Sequence, residues 1–168
     1  VNPPTTRINY YIQGNGGAGK GLTSRALARA LFPDLADKSD GYIFFEVGAD
    51  DVNFDGYDGQ PVIIWNDCRS YDLIKKLKTR GNVFNVFDTH PRKIMQNVKY
   101  SSTNLINAVN IVNSVQPYQD FLDGLAGEYT TKDGIFYESE DKNQSYRRFP
   151  FIIPLRADDF DLLVNKGF

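Results

Sequence analysis

The chain has 168 residues, 41% hydrophobic, 14% aromatic and 24% charged, which suits one domain around one sizeable core and excludes disorder, a coiled coil and a collagen-like repeat. A lone cysteine, Cys68, and a lone histidine, His90, exclude a disulfide framework and a zinc cage of ordinary composition. The net charge of -2 hides an asymmetry: Leu73 to Gln119 carries seven basic residues against Asp88 alone, +6 in all, which leaves -8 elsewhere. Charge so segregated fits a surface that meets a polyanion, or a solvated helix face.

The opening Asn2-Pro3-Pro4-Thr5-Thr6 reads as linker. Residues 1–7 are therefore expected to be the remnant of a connection to a further domain, and residues 8–168 the domain proper. No apolar run reaches the roughly 18 to 20 residues that cross a bilayer and the start lacks signal-peptide anatomy, so no membrane partner and a cytosolic location are expected. Ile8 to Ile12 is aromatic and β-branched, a buried strand that ends at glycine. After Gly14 to Lys20, the residues Leu22, Ala26, Leu27, Ala30 and Leu31 recur at helical spacing, and Pro33 closes that helix.

Gly41 to Val47 reads as a second strand, followed by a turn rich in glycine and aspartate, Phe54 to Gln60. Val62 to Trp65 is continuously apolar, the form of a strand covered on both faces, and it stops at Asn66-Asp67. Ser70 is placed to cap a helix turning Leu73, Ile74 and Leu77 inward and Lys75, Lys76 and Lys78 outward. Val83 to Phe87, Val109 to Val112 and Phe149 to Ile153 are further strand candidates. Strands alternating with helices predict an α/β fold with a mostly parallel sheet covered on both faces.

Gly14-Asn15-Gly16-Gly17-Ala18-Gly19-Lys20 fits the phosphate loop G-x-x-x-x-G-K. The chemistry needs several backbone N–H groups converging on phosphate oxygens, a lysine for their charge, and a helix N-terminus behind them. The candidate nucleotide ligands are Gly14, Gly16, Gly17, Ala18, Gly19, Lys20, Gly21 and Leu22. A Ser or Thr ordinarily follows the lysine and ligates Mg²⁺. Gly21 stands there instead, with Thr23 and Ser24 further along the helix, so weaker magnesium binding is expected. Asp67 is then the candidate that holds Mg²⁺ through water, while neutral Asn66 can orient a water and cannot act as a base.

Asn113-Ser114 ends another apolar strand before Pro117. An amide at a strand tip beside the phosphate loop can sense the γ-phosphate, and it can equally be a solvent-exposed turn. In Tyr146-Arg147-Arg148-Phe149, two guanidiniums open a strand, suited to an arginine supplied in trans or to surface ion pairs with Glu138, Glu140 or Asp141.

Taken in order, GNGGAGK, FDGYDGQPVIIWNDCR, NVFDTHPRKIMQNVKYSS, VNIVNSVQP and SYRRFPF resemble the superfamily 3 helicase domain of rolling-circle replication initiators (Rep proteins) of bacterial plasmids and circular single-stranded DNA viruses. The resemblance implies a P-loop NTPase fold, AAA+-like, with a DNA-binding β-hairpin insertion. It implies ATP and Mg²⁺ as cofactors and single-stranded DNA as a partner. A homo-oligomeric ring, a hexamer, and an endonuclease domain N-terminal to this one follow from the same resemblance, as does a location in the bacterial cytoplasm or, for a virus, the host nucleus. Lys20 matches Walker A, and Asn66 and Asp67 match Walker B. Asn113, or Ser114 on the alternative alignment, matches the sensor; Arg147 or Arg148 matches the arginine finger. Lys93 and Lys99, with His90, are the DNA-binding candidates of a hairpin segment from Asp88 to Ser102. The competing readings are a small P-loop kinase and a nucleotide-binding assembly module with little turnover.

Overall fold

A computed structural model of the protein describes residues 3–50, 54–91, 99–100, 103–127, 129–130, 133–134, 136–137 and 142–167. The elements run β1 (Ile8–Gln13), α1 (Lys20–Leu31), a 3-10 turn (Pro33–Leu35), α2 (Asp40–Ile43), β2 (Phe44–Gly48), β3 (Val62–Asn66), α3 (Ser70–Leu77) and α4 (Arg80–Val86). They continue β4 (Lys99–Tyr100), β5 (Thr103–Asn104), β6 (Val109–Ser114), α5 (Tyr118–Ala126), β7 (Tyr129–Thr130), β8 (Phe136–Tyr137), α6 (Asn143–Arg148), β9 (Phe151–Pro154) and β10 (Leu163–Val164). Six strands form one sheet in the order β10-β9-β1-β6-β3-β2. Every neighbouring pair is parallel except β9 with β10.

The sheet divides the apolar residues into two cores, as alternation along each strand demands. Tyr11, Ile63, Trp65 and Val112 join Leu73, Leu77, Phe121 and Phe149 on the face covered by α3 to α6. Ile12, Val62, Ile64 and Ile111 join Ala28, Leu27 and Leu31 on the face covered by α1. Rings pack continuously through the first core, Trp65 to Phe87 at 5.3 Å, Phe87 to Phe149 at 5.2 Å and Tyr11 to Phe121 at 4.1 Å between centroids. Each such ring, fully buried, is worth about 1.5–3 kcal/mol. Among the described residues no helix is long and apolar enough to cross a membrane.

The expected strand over Val83 to Phe87 is instead the helix α4 and its last turn. Thr79 Oγ1 accepts the N–H of Asn82 at 3.0 Å, an N-cap that starts a helix. Val83, Val86 and Phe87 then fall at i, i+3 and i+4, so one buried helical face accounts for all three. Gly41 to Val47 likewise opens with the short helix α2 before β2 begins at Phe44. Arg147 and Arg148 close helix α6 rather than opening a strand, which begins at Phe151. Ser70 begins α3 instead of capping it: its N–H donates to Gln116 Oε1 at 2.8 Å, and the N–H of the preceding Arg69 is taken by Asp72. Lys76, expected outward, is half-buried and its ammonium lies out of solvent.

A polar ladder crosses the base of the sheet. Buried Asn110 accepts from Trp65 Nε1 at 2.9 Å and Asn107 Nδ2 at 2.8 Å, and donates to Asn9 Oδ1 at 2.9 Å. Asn9 in turn donates to the carbonyls of Phe87 and Arg148, both at 2.7 Å. Arg7, set with the linker by composition, is 3% exposed and donates to the carbonyls of Asn107, Val86 and Leu105. Burial pushes its guanidinium down to about 10, against the pull of Tyr57 and Asp88. Removing that side chain leaves the carbonyls of Asn107 and Leu105 without their side-chain donor and Val86 O with only the 3.3 Å bond from Asn110, so Arg7→Ala is expected to cost about 3–5 kcal/mol in chemical denaturation. Arg7→Lys, with no fork to reach all three, should recover only part of this.

Candidate nucleotide site

The carboxyl ends of parallel strands are where an open α/β sheet presents a crevice. Here β6 lies between β1 and β3, with Ile12 beside Asn113 and Trp65 beside Val112. Asn113 therefore stands between the phosphate loop that leaves β1 and the Asn66-Asp67 pair that ends β3.

In the loop, the N–H of Gly14 donates to Ser114 O at 3.0 Å and that of Ala18 to Asn15 O at 3.1 Å. Gly17 and Gly19 hold φ of 81° and 88°, left-handed values that a side chain resists. A Cβ at Gly16, Gly17 or Gly19 would meet nothing within 4 Å, so the protein itself does not fill the space beside them. Gly14 differs: a Cβ there would stand 3.1 Å from Lys20 Cγ, so its absence lets the lysine stem fold across the loop. Helix α1 has no side-chain cap and no acid in its first turn. Its first N–H groups and its dipole are thus left to an external anion. The residues present fit a phosphate chain.

Lys20 is 9% exposed and its ammonium lies 3.7 Å from Asp67 Oδ1, while Asp67 is 76% exposed. A contact so long and so wetted on one side is weak, which leaves the carboxylate able to turn toward a metal or a water. Asp67 itself has φ of 53°. Its N–H donates to Asn113 Oδ1 at 2.9 Å, a bond that helps hold the strained turn. Asn113 Nδ2 donates to Ser24 Oγ at 3.0 Å and to Asn66 Oδ1 at 2.8 Å. Ser24, fully buried on α1, donates its hydroxyl to Lys20 O at 2.7 Å. Its hydroxyl is committed to the helix and to Asn113 and does not replace the missing Ser/Thr at Gly21.

No group of three or more His, Cys, Asp or Glu among the described residues could hold a metal. An ion here would rest on Asp67, water and phosphate oxygens, an arrangement common for magnesium. Of the two sensor alignments, Asn113 bonds both to helix α1 behind the phosphate loop and to the Asn66-Asp67 pair. Ser114 gives its carbonyl to Gly14 and its hydroxyl accepts from the N–H of Gln116 at 3.1 Å.

Three contributors escaped the sequence reading. Glu46 on β2 accepts from Asn66 Nδ2 at 3.0 Å and pairs with Arg25 of α1 at 3.3 Å, so it fixes the Asn66 amide from the far side. A single acid inside the apolar run FFEV was its only signal. Gln116 ties Ser70 to the strand tip, and Arg156, between Asp159 and Asp161, follows β9 beside the loop.

The two guanidiniums of α6 differ. Arg148 donates to Phe84 O at 2.9 Å and to Gln144, reaches Asp88 at 3.4 Å and lies 4.9 Å over the Phe84 ring. Burial lowers its pKa, opposed by Asp88. Arg147 is exposed. Of the DNA-binding candidates, His90 is exposed, its N–H given to Asp88 Oδ1 at 2.6 Å. Lys99 lies in β4, paired antiparallel with Asn104 of β5. Lys93 lies outside the described residues.

A mostly parallel sheet flanked by helices, with a glycine cradle and lysine at one strand end and an aspartate two strands away, defines a P-loop NTPase domain. The family described as RNA helicase matches residues 10–94, and the chain belongs to it. A comparison with curated proteins found no match. Helicases of this kind are nucleotide-hydrolysing and generally use ATP with Mg²⁺.

The strain at Asp67 permits a test that separates stability from chemistry. Asp67→Gly is expected to melt at the same temperature as the native chain or higher, because glycine accepts φ of 53° freely, yet to lose phosphate release. Asn113→Ala, which orphans buried partners, should cost about 1–3 kcal/mol and lose phosphate release as well.

Proposed function

We propose that the chain is the ATP-driven motor of a replication initiator, working as a ring, a hexamer, on single-stranded DNA during rolling-circle replication, with an endonuclease domain preceding it. The observation that carries the motor reading is the Asn113 amide, which joins the helix behind the phosphate loop to Asp67 by hydrogen bonds of 2.9–3.0 Å. A change at the phosphate loop is thereby felt at the strand tips. The replication setting rests on the motif resemblance and on the +6 stretch from Leu73 to Gln119.

ATP with Mg²⁺ supplies the phosphoanhydride whose hydrolysis drives the motor. Lys20 and the loop N–H groups neutralise and orient the phosphates. Asp67 orients the attacking water and accepts its proton, and the fixed amide of Asn66 directs that water without taking a proton. Arg147, exposed on α6, is the guanidinium available to a neighbouring subunit, where charge on the transferring phosphoryl group would be stabilised in trans. In this reading Lys93 and Lys99, with His90, are the DNA-binding residues, and contacts from such residues to phosphates are independent of sequence. The cytoplasm of a bacterium, or a host nucleus for a virus, is the compartment this reading implies.

Phosphate release with and without oligo-dT or oligo-rU tests it. Lys20→Ala should abolish turnover, and oligo-dT should stimulate the native chain more than oligo-rU does. A rate indifferent to both strands at low salt overturns the motor. Arg147→Ala should lose stimulated turnover without a change in melting temperature, whereas Arg148→Ala should destabilise by about 1–3 kcal/mol.

A further inference from the structure

Away from the nucleotide site, a surface groove of about 520 Å³ runs between α3 and α5. The two helices approach closely, since a Cβ at Gly124 would stand 2.3 Å from Ser70 Oγ, and this makes the floor. Tyr71, Ile74, Lys75 and Lys78 follow one another at i, i+3, i+4 and i+7 along one wall, and Arg80 lies over Gly127 at the end. Tyr71 is 69% exposed at the open end of that wall. Lys75, Lys78 and Arg80 are exposed, make no ion pair among the described residues, and no acid lines the groove.

Lys78 adds an independent mark. Its φ of 81° and ψ of -41° belong to a region that suits glycine, and yet a lysine occupies it.

With the nucleic-acid motor as premise, we propose that this groove is a second contact for single-stranded nucleic acid, separate from the β4–β5 hairpin, with an unpaired base stacked on Tyr71 and phosphates held by Lys75, Lys78 and Arg80. Three cations and no acid specify a polyanion. The exposed ring beside them specifies a strand whose bases are open, because a duplex hides the faces on which a ring stacks. The groove starts at Ser70, three residues from Asp67 and bonded to Gln116 at 2.8 Å, so an occupied groove abuts the segments that form the nucleotide site.

Fluorescence anisotropy of labelled oligo-dT and oligo-rU over a salt series tests the assignment, on the whole chain, alongside light scattering. Lys75→Glu/Lys78→Glu should weaken binding by about tenfold or more at low salt. Lys75→Ala/Lys78→Ala/Arg80→Ala should flatten the salt slope by about two, because three phosphates of a single strand are then no longer neutralised. Tyr71→Ala should weaken binding about fivefold or more, and Tyr71→Phe should restore it, since the ring and not the hydroxyl stacks. Lys78→Gly should lower affinity while raising the melting temperature, a combination that a purely structural lysine does not give. Native affinity in all these variants, with binding lost only in Lys93→Ala/Lys99→Ala, overturns the groove and leaves the motor standing. A change in oligomeric mass at unchanged affinity assigns the groove to a second copy of the chain and overturns it too. Failure of the native chain to bind either strand overturns both readings.

Discussion

The structure turns on one buried amide. Asn113 is 1% exposed and its side chain has three partners within hydrogen-bond distance on two segments: Ser24 on the helix behind the phosphate loop, and the Asn66 side chain and Asp67 backbone where β3 ends. An amide can give two protons and accept through its oxygen, so a single side chain sets the relative position of the two loops that nucleotide chemistry needs. The neutral Asn66 fits this constraint. Its own amide accepts from Asn113 and donates to Glu46, a sequence of donors and acceptors that an ionised aspartate in its place could not complete.

Holding that amide in place is the task of everything below it. The sheet places β6 between β1 and β3, and the two apolar cores press it from both sides. At the opposite end of the strands, Arg7, Asn9, Asn107 and Asn110 close the backbone polar groups that α4 and β6 leave inside. A buried polar network is tolerable only when nearly every member is satisfied; here Asn107 Oδ1 lacks a partner among the described residues, and the bonds of Asn110 tie β6 to both β1 and β3. The base of the sheet is thus specified by hydrogen bonds, its middle by apolar packing, and its upper edge by the site.

Charge follows the same layering. The basic surplus from Leu73 to Gln119 begins on α3, directly after the Asp67 turn, and continues through the hairpin segment. Arg148 and Arg147 illustrate how neighbours diverge: one is drawn into the contact between α6 and α4, the other is left in solvent. The distinction arises from their opposite faces on a short helix, where adjacent residues point about 100° apart.

The phosphate loop, the strand ends at Asp67 and Asn113, the α/β alternation and the charge split could all be read from the chain alone, because each is a local pattern of residue types with a local cause. The helix α4 could not, since its aromatic and β-branched run suits a strand until Thr79 caps it and the core claims one face. Neither could Glu46 and Gln116, or the bond of Ser24 to Asn113, which show nothing until β6 is inserted between β1 and β3. The choice between Asn113 and Ser114, and the difference between Arg147 and Arg148, depend on which direction a side chain faces once packed. Sequence by itself determined that a phosphate-loop motif and an aspartate after an apolar strand are present; tertiary structure decided how they are joined, because that junction is made by side chains up to 89 positions apart.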